Sequence, residues 1–405
     1  MAGQAITGRR TGACRIRHRP LALSNLMMDF PARMRWASRT QFFGSGFVFA
    51  TWGVHIPTVK AHYGVNEAEL GLAMLAAGVG ALLGLTQASR WIGRHGARSM
   101  AGVCGTVYAL LLAGLLVMPA YAALLGLLVV FGIVTSVFDV AINTEAAQLE
   151  LRGGKPLMSG MHGMFSLGGM VGAMTGGAAI ASGMAQQHHL MLVATAMALS
   201  IAVSARWMLP KESTAFSSDG HGFRLPRGTL AVLGLLAALG LIAEGAIYDW
   251  SVLYLHQELG SPQQQAALAY ASFSAAMAMA RFGGDAMRAR FAPAVLLRGS
   301  ALLAAASMTL VLITNLPWLA LAGFAGVGVG FANVVPILFA TSARVPGVEP
   351  ARGIAAVSAA AYLGFMAGPP VIGFLAQVSS LTVALYVVVA FAAALAASAR
   401  YADVP

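Results

Sequence analysis

Apolar residues run through this chain in long blocks rather than in alternation with polar ones. From residue 41 onward twelve blocks follow one another, at 41–60, 67–89, 99–118, 121–147, 157–183, 189–208, 229–255, 264–283, 295–314, 317–341, 353–376 and 381–399. Each holds about 20 residues or somewhat more, the length an α-helix needs to cross the hydrocarbon core of a bilayer. They lack the period-two alternation of a membrane β-barrel strand. The pattern therefore predicts an all-α, polytopic membrane protein with twelve transmembrane helices. One connection stands apart: residues 209–228 contain Pro210, Lys211, Glu212, Ser217, Ser218, Asp219 and Gly220, a polar, turn-rich stretch. It divides the blocks six and six, giving a first bundle at 40–208, a linker at 209–228 and a second bundle at 229–400. A basic tail at 1–39 and a short tail at 401–405 flank them, and the basic tail is expected to be disordered. Met27, Met28 and Met34 each offer an alternative translation start within it.

Composition sharpens this picture. Of 405 residues 58% are hydrophobic and 10% charged, against about 25% charged in an ordinary soluble domain. So few charges cannot cover a water-facing surface, which excludes a soluble enzyme. The formal net charge is +11, a balance that in a soluble protein would suggest nucleic acid. Its placement says otherwise. Counting loops alternately from a cytoplasmic N-terminus, every Lys and Arg of the 25 except Lys60 falls on the cytoplasmic side. The positive-inside rule then places both termini in the cytoplasm and supports an even number of spans. The two cysteines, Cys14 and Cys104, are far apart and form no disulfide framework. No P-loop, HExxH, CxxC or GxSxG motif occurs, and His188-His189 falls in an outer loop without companion ligands. Neither cofactor nor metal is expected.

Against this background, polar residues inside the spans carry the candidate chemistry. Acids at membrane depth cost about 2.5–3.5 kcal/mol each on insertion scales, so they usually face a wet cavity and act there. Glu244 lies near the middle of the seventh block, Asp249 about a turn and a half beyond it, and Asp139 slightly to the cytoplasmic side of the middle of the fourth. No lysine or arginine is evident at the same depth as a counter-ion. These three are the candidate proton-coupling residues; Glu145 reads as an interfacial charge. Asp139 and Asn143 share one helix face, as do His162 and Ser166, because residues four apart stack on a helix. They form either a latch at the inner gate or contacts to substrate hydroxyls. Arg281, Asp285, Arg94 and Arg98 lie near cytoplasmic helix ends and suggest a cytoplasmic gate. Gly168/Gly172 and Gly364/Gly368 have small-xxx-small spacing, which lets helices approach closely. Pro369 and Pro370 give the eleventh block a place to bend.

The halves also echo one another. Thr51-Trp52 answers Asp249-Trp250 at an offset of 198, and Leu167-Gly168 with Gly172 answers Leu363-Gly364 with Gly368 at 196. Arg94-His95-Gly96 answers Arg290-Phe291-Ala292 at that same offset. A nearly constant offset of about half the chain points to internal duplication.

Six plus six helices with basic turns after the second and eighth resemble the major facilitator superfamily of secondary transporters, over roughly residues 38–400. Five blocks resemble, more narrowly, a bacterial branch that includes rhizopine-related membrane proteins. They are Asp139 to Asn143; Met161-His162-Gly163 through Ser166 to Gly169; Glu244-Gly245 with Asp249-Trp250; Arg281 to Asp285; and Tyr362-Leu363-Gly364 ending at Gly368-Pro369-Pro370. Two departures stand out: Gly93 occupies about the place of an acid in the usual turn after the second helix, and the glycine motif of the fifth helix lacks its proline. The resemblance implies two pseudo-symmetric six-helix bundles that rock about a central site. It also places helices 1, 7, 10 and 11 around that site, which makes Trp52, Tyr248, Trp250, Asn333 and Tyr362 substrate-binding candidates beside Asn143, His162 and Ser166. The implied function is proton-coupled, alternating-access transport of a small polar organic solute (a sugar, polyol or inositol-like compound) by a monomer. Its partners are that solute, protons and the lipid bilayer. Multidrug or metabolite efflux, or a transport-inactive membrane sensor, are the competing expectations.

Overall fold

The computed structural model describes residues 32–153, 157–211, 227–348 and 350–403, without the side chains of Asp285, Pro350, Ala351, Arg352 and Ala355. Among these residues there are thirteen α-helices and no strand: α1 (Ala32–Tyr63), α2 (Glu67–His95), α3 (Ala97–Leu111), α4 (Tyr121–Gly153), α5 (Met158–Ala181), α6 (Gln186–Ala205), α7 (Thr229–Gln257), α8 (Gln263–Arg290), α9 (Pro293–Ile313), α10 (Pro317–Phe331), α11 (Val334–Ser342), α12 (Pro350–Val378) and α13 (Leu381–Ala397). α10 and α11 are one span interrupted at Ala332-Asn333, so the helices make the twelve expected crossings. Residues 32–39, assigned to the tail from sequence, are the first turns of α1 instead. Residues 1–31 of the tail and 212–226 of the linker lie outside the described residues.

Nine helical stretches among the described residues are long and apolar enough to cross a membrane, with α10 and α11 taken together, and α13 is apolar but shorter. α1 and α8 fall outside that group because of their polar residues. Several of those residues are turned inward: Gln41, Thr51 and His55 of α1 and Ser274 of α8 are buried. A polar helix is admitted to the bilayer when protein covers it.

Helix ends follow local chemistry. α2 opens with a reciprocal cap, in which the Glu69 backbone N–H donates to the Asn66 side-chain oxygen and the Asn66 N–H donates to the Glu69 carboxylate, both at 2.9 Å. Gly64 (φ 63°) and Gly96 (φ 85°) turn the chain before α2 and α3 in a backbone region that glycine enters without strain.

Packing repeats in the two halves. α1 lies on α5 and α2 on α4 in the first; α7 lies on α12 and α8 on α10 in the second. The glycine pairs noted in the sequence sit at two of these crossings. A Cβ on Gly168 would collide with the Phe43 carbonyl of α1, and one on Gly172 would lie 2.7 Å from the Phe47 carbonyl. In the other half, Gly364 meets Ala238 and Gly368 meets Ile242, both of α7. First and fifth spans therefore cross on glycine in each half, as a duplicated bundle requires. The halves touch each other mainly along two seams, α5 against α8 and α2 against α12.

Candidate functional site

A cavity of about 300 Å³ opens between the halves, at the small end of the range for small-molecule sites. Its wall comes from α1 to α5 on one side and from α7 and α12 on the other. On each helix the lining residues recur three or four apart: Phe131, Thr135 and Asp139 on α4; Leu241, Glu244 and Tyr248 on α7; Tyr362, Phe365 or Met366, and Pro369 on α12. The cavity is thus built from single helix faces. Eight of its lining residues are aromatic, and Tyr248 is the hub beneath them. Its ring packs on Phe49, Phe165, Tyr270 and Phe273 at centroid distances of 5.5, 6.4, 5.2 and 5.0 Å.

One end of the cavity is shut. Where α1 ends and α8 begins, the Gln263 amide donates to the Val54 carbonyl (3.0 Å) and to the Thr58 hydroxyl (2.9 Å), tying the halves together. At the same end a Cβ on Gly71 of α2 would lie 3.1 Å from the Pro370 backbone of α12. Toward the other end Leu82 of α2 and Tyr362 of α12, both in the cavity wall, are exposed.

All three sequence-selected acids line this cavity, yet their surroundings differ. Asp139 accepts a hydrogen bond from the Tyr362 hydroxyl at 3.0 Å and one from the Asn143 amide at 3.1 Å. The first spans the two halves. Glu244 is held by Arg281 at 2.8 Å. Arg281 also donates to the Ser166 hydroxyl of α5 at 3.0 Å, and its backbone carbonyl accepts from Ser159 at 2.6 Å. Asp249 is 6% exposed and has no hydrogen-bonding or ionic partner among the described residues.

Several of the sequence-selected residues stand in other surroundings than the sequence suggested. Arg281 supplies the buried counter-ion that the sequence did not reveal, its side chain reaching from the last third of α8 to Glu244 of α7 and Ser166 of α5. Trp52, Tyr248 and Tyr362 line the cavity; Trp250, fully buried, does not, because it projects from a different face of α7 than Glu244. Asn143 and Ser166 support Asp139 and Arg281 rather than forming the wall. His162 packs edge-on against Phe42 (5.4 Å) and Asn333 accepts from Arg288 (3.2 Å), both away from the cavity. Arg94 is exposed and Arg98 half-buried, while the Asp285 side chain lies outside the described residues. Glu145 is fully buried and accepts from the Leu209 N–H at 2.8 Å, so it anchors the linker instead of meeting headgroups. His189 is in the first turn of α6, not in a loop, and shares a 2.9 Å hydrogen bond with His55. Sequence reasoning passed over Tyr108, Phe131 and Thr135; extending the face of Asp139 by two turns would have found the latter two.

Twelve crossings in two matched halves, with a cavity of buried acids and aromatics between them, define a multi-pass membrane transporter. The sequence model of the Major Facilitator Superfamily matches residues 41–349 and 254–405, and the chain belongs to that superfamily. An uncharacterized MFS-type transporter of Yersinia pestis is 34% identical over 365 residues, 90% of this chain and 94% of that protein. Membrane protein MosC of Rhizobium meliloti is 33% identical over 368 residues, 90% of this chain and 88% of that one. Among solved structures, the nucleoside transporter NupG superposes with a TM-score of 0.73 at 12% identity, over 92% of this chain and 100% of that one. The inward-open xylose transporter XylE from E. coli gives 0.70 at 14% identity, over 91% and 94%. At such identities the likeness is one of fold.

Proposed function

We propose that this protein is a proton-coupled transporter of a small polar organic solute, such as a sugar, polyol or inositol-like compound. It works as a monomer by alternating access in the bacterial inner membrane, with both termini in the cytoplasm. The basic loops support that orientation, which makes the shut end of the cavity the outer one and directs the open end to the cytoplasm.

The observation that carries the reading is the Tyr362–Asp139 hydrogen bond across the halves. Bonds to an ionised acceptor are stronger than neutral ones, about 1.5–3 against 0.5–1.5 kcal/mol. Protonating Asp139 therefore weakens the tie between α4 and α12 and eases their separation, so that proton binding and bundle movement are linked. Of the three acids Asp139 takes this role best: it lines the cavity and is met by a neutral donor across the halves, whereas Glu244 is already tied to Arg281 at 2.8 Å. Moving one charge through 100 mV yields about 2.3 kcal/mol, enough to drive accumulation.

The test is solute-driven proton movement in proteoliposomes loaded with a pH-sensitive dye. A panel of sugars and polyols is expected to yield at least one that acidifies the lumen on uptake, and Asp139→Asn is expected to abolish that signal. Solute flux with unaltered proton movement in Asp139→Asn would refute the assignment. Efflux of amphipathic drugs is the second reading, favoured by the eight aromatic lining residues; flux of a hydrophobic dye but no sugar or polyol would select it.

A further inference from the structure

A second cluster of titratable groups lies outside the cavity, at its shut end. His55 of α1 and His189 in the first turn of α6 are both buried and share a hydrogen bond of 2.9 Å between Nε2 and Nδ1. Their other nitrogens, Nδ1 of His55 and Nε2 of His189, are buried without a partner among the described residues. In the neutral pair one hydrogen lies between the facing nitrogens, and one of the two remaining nitrogens is bare. One added proton goes there and leaves the bond in place; a second puts hydrogen on both facing nitrogens, and the bond is lost.

No acid answers such a charge. α1 and α6 pack on each other and on α3 and α5, and none of the four contains an Asp or Glu. Their other titratable groups have neighbours of their own or lie elsewhere. His162 of α5 packs on Phe42, and Tyr108 of α3 on Phe131 and Phe138. Cys104 lies mid-helix in α3, and His188 of α6 is exposed. Beyond His55 on α1, Lys60 pairs with Glu67, His62 packs on Tyr63, and Tyr63 donates to the Leu115 carbonyl. The arginines of α1 and α3 stand in the first turns, at the opposite ends.

The pair also backs the closure itself. Val54, next to His55, offers its carbonyl to Gln263 of α8 across the halves. On α5 a Cβ at Gly176 would lie 3.0 Å from the Val54 side chain and 3.6 Å from the His189 ring. One at Gly177 would lie 2.9 Å from the Gln264 carbonyl of α8. Histidines, α5 glycines and the start of α8 thus form one continuous contact.

We propose that the His55–His189 pair is a proton-operated catch on the outer closure. Neutral, it holds α1 to α6 behind the shut end; charged by acid outside, it loosens α1 and favours the form open to the outside. This rests on the orientation proposed above, which puts the first turn of α6 and His188 at the external face. A buried charge without a partner is costly, so the dry, closed arrangement disfavours protonation. An imidazole in water gains a proton near about pH 6.5, so a pair wetted by opening takes up to two. Proton uptake linked to opening shifts the equilibrium toward the open form by up to about tenfold per pH unit for each proton. The device is separate from Asp139, which ties α4 to α12 across the halves, because the histidines tie two helices of one half.

Opening of the outer end can be read without a solute. Full-length protein carrying Cys14→Ser, Cys104→Ser and Ala267→Cys places one thiol in the closure, where Ala267 of α8 is buried against Gly177 of α5. In intact cells it is labelled with a membrane-impermeant methanethiosulfonate, each rate being divided by that of a free thiol at the same pH. Between about pH 7.5 and about pH 5.5 outside, the normalised rate is expected to rise about threefold or more. His55→Gln with His189→Asn is expected to remove the rise, since the two amides put hydrogen-bonding atoms where Nε2 and Nδ1 stood and take up no proton. If that double variant is not recovered, His189→Asn alone is measured. One titrating ring of two remains, so about half the slope of log rate against pH is expected, and an unchanged slope would overturn the proposal. A flat profile in the parent, or a rise that persists in the double variant, would also overturn it and leave the transporter reading intact. The same series in Asp139→Asn is expected to keep the rise; its loss there would assign it to the cavity acid instead of the histidines. Labelling in inverted vesicles but not in intact cells, at every pH, would overturn the orientation and the proposal together.

Discussion

The two seams between the halves are built differently. Along α5 and α8 contact continues from Ser159 against Arg281, through Gly163 against Phe282 and Gly169 against Ser274, to Gly177 against Gln264. The Glu244–Arg281 pair is keyed into this seam through Ser166. Along α2 and α12 the helices touch at Gly71 with Pro370 and at Gly78 with Met366, then diverge until Tyr362 stands 42% exposed and reaches over to Asp139. An ion pair accompanies the seam that is in contact along its length, and a hydrogen bond to the Asp139 carboxylate bridges the other seam. Acids on similar helices thus take different parts according to what faces them.

The comparison breaks most readily at Arg281. Arg281→Met leaves Glu244 buried and unpaired, and about 3–5 kcal/mol of stability is expected to be lost, seen as a lower thermal midpoint for the purified protein. Adding Glu244→Gln to that variant should restore most of it; equal stability of wild type and Arg281→Met would mean the pair does not secure the α5–α8 seam. The closed end of the other seam is next. Gly373→Ala puts a Cβ 2.6 Å from the Glu67 carbonyl, where backbone must move, and a cost of about 1–3 kcal/mol is expected. Gly78→Ala, whose Cβ meets the flexible Met366 side chain, should cost under about 1 kcal/mol. The order of their midpoints checks this, and a reversed order would misplace the tight contact.

Tyr362→Phe should matter less to stability, about 1 kcal/mol, and more to the opening of α2 from α12. Its effect should be largest near neutral pH and fade on acidification, since protonation of Asp139 weakens the same bond in the parent protein. Accessibility of a cysteine at Leu82 across a pH series reads that directly. The smallest effect is expected outside both seams. Lys60 and Glu67 pair at 2.9 Å between α1 and α2 but remain partly exposed. Lys60→Met should change stability by about 0–1 kcal/mol, and only at low salt.

Much of the fold was legible in the chain because lipid imposes a simple rule: a span needs about 20 apolar residues. The blocks match the helices to within a few residues at most ends. The glycine pairs at Gly168/Gly172 and Gly364/Gly368 marked true crossings, because only a missing side chain allows such approach. What the pattern concealed was lateral. Trp250 neighbours Asp249 in sequence, yet a 100° step about the helix buries it elsewhere. Arg281 looked like a surface charge because its position was read from its backbone, whereas its side chain spans more than a helical turn toward Glu244. The partnerships of Asp139 with Tyr362, and of His55 with His189, join residues more than a hundred positions apart, and nothing in local periodicity marks them.

Proton coupling requires one carboxyl that exchanges protons during the cycle. Infrared difference spectra of the reconstituted protein, recorded as pH is lowered, reveal each protonated carboxyl by its carbonyl stretch. A band that is lost in Asp139→Asn and retained in Glu244→Gln is the predicted result. Its persistence in Asp139→Asn together with its loss in Glu244→Gln would contradict the assignment.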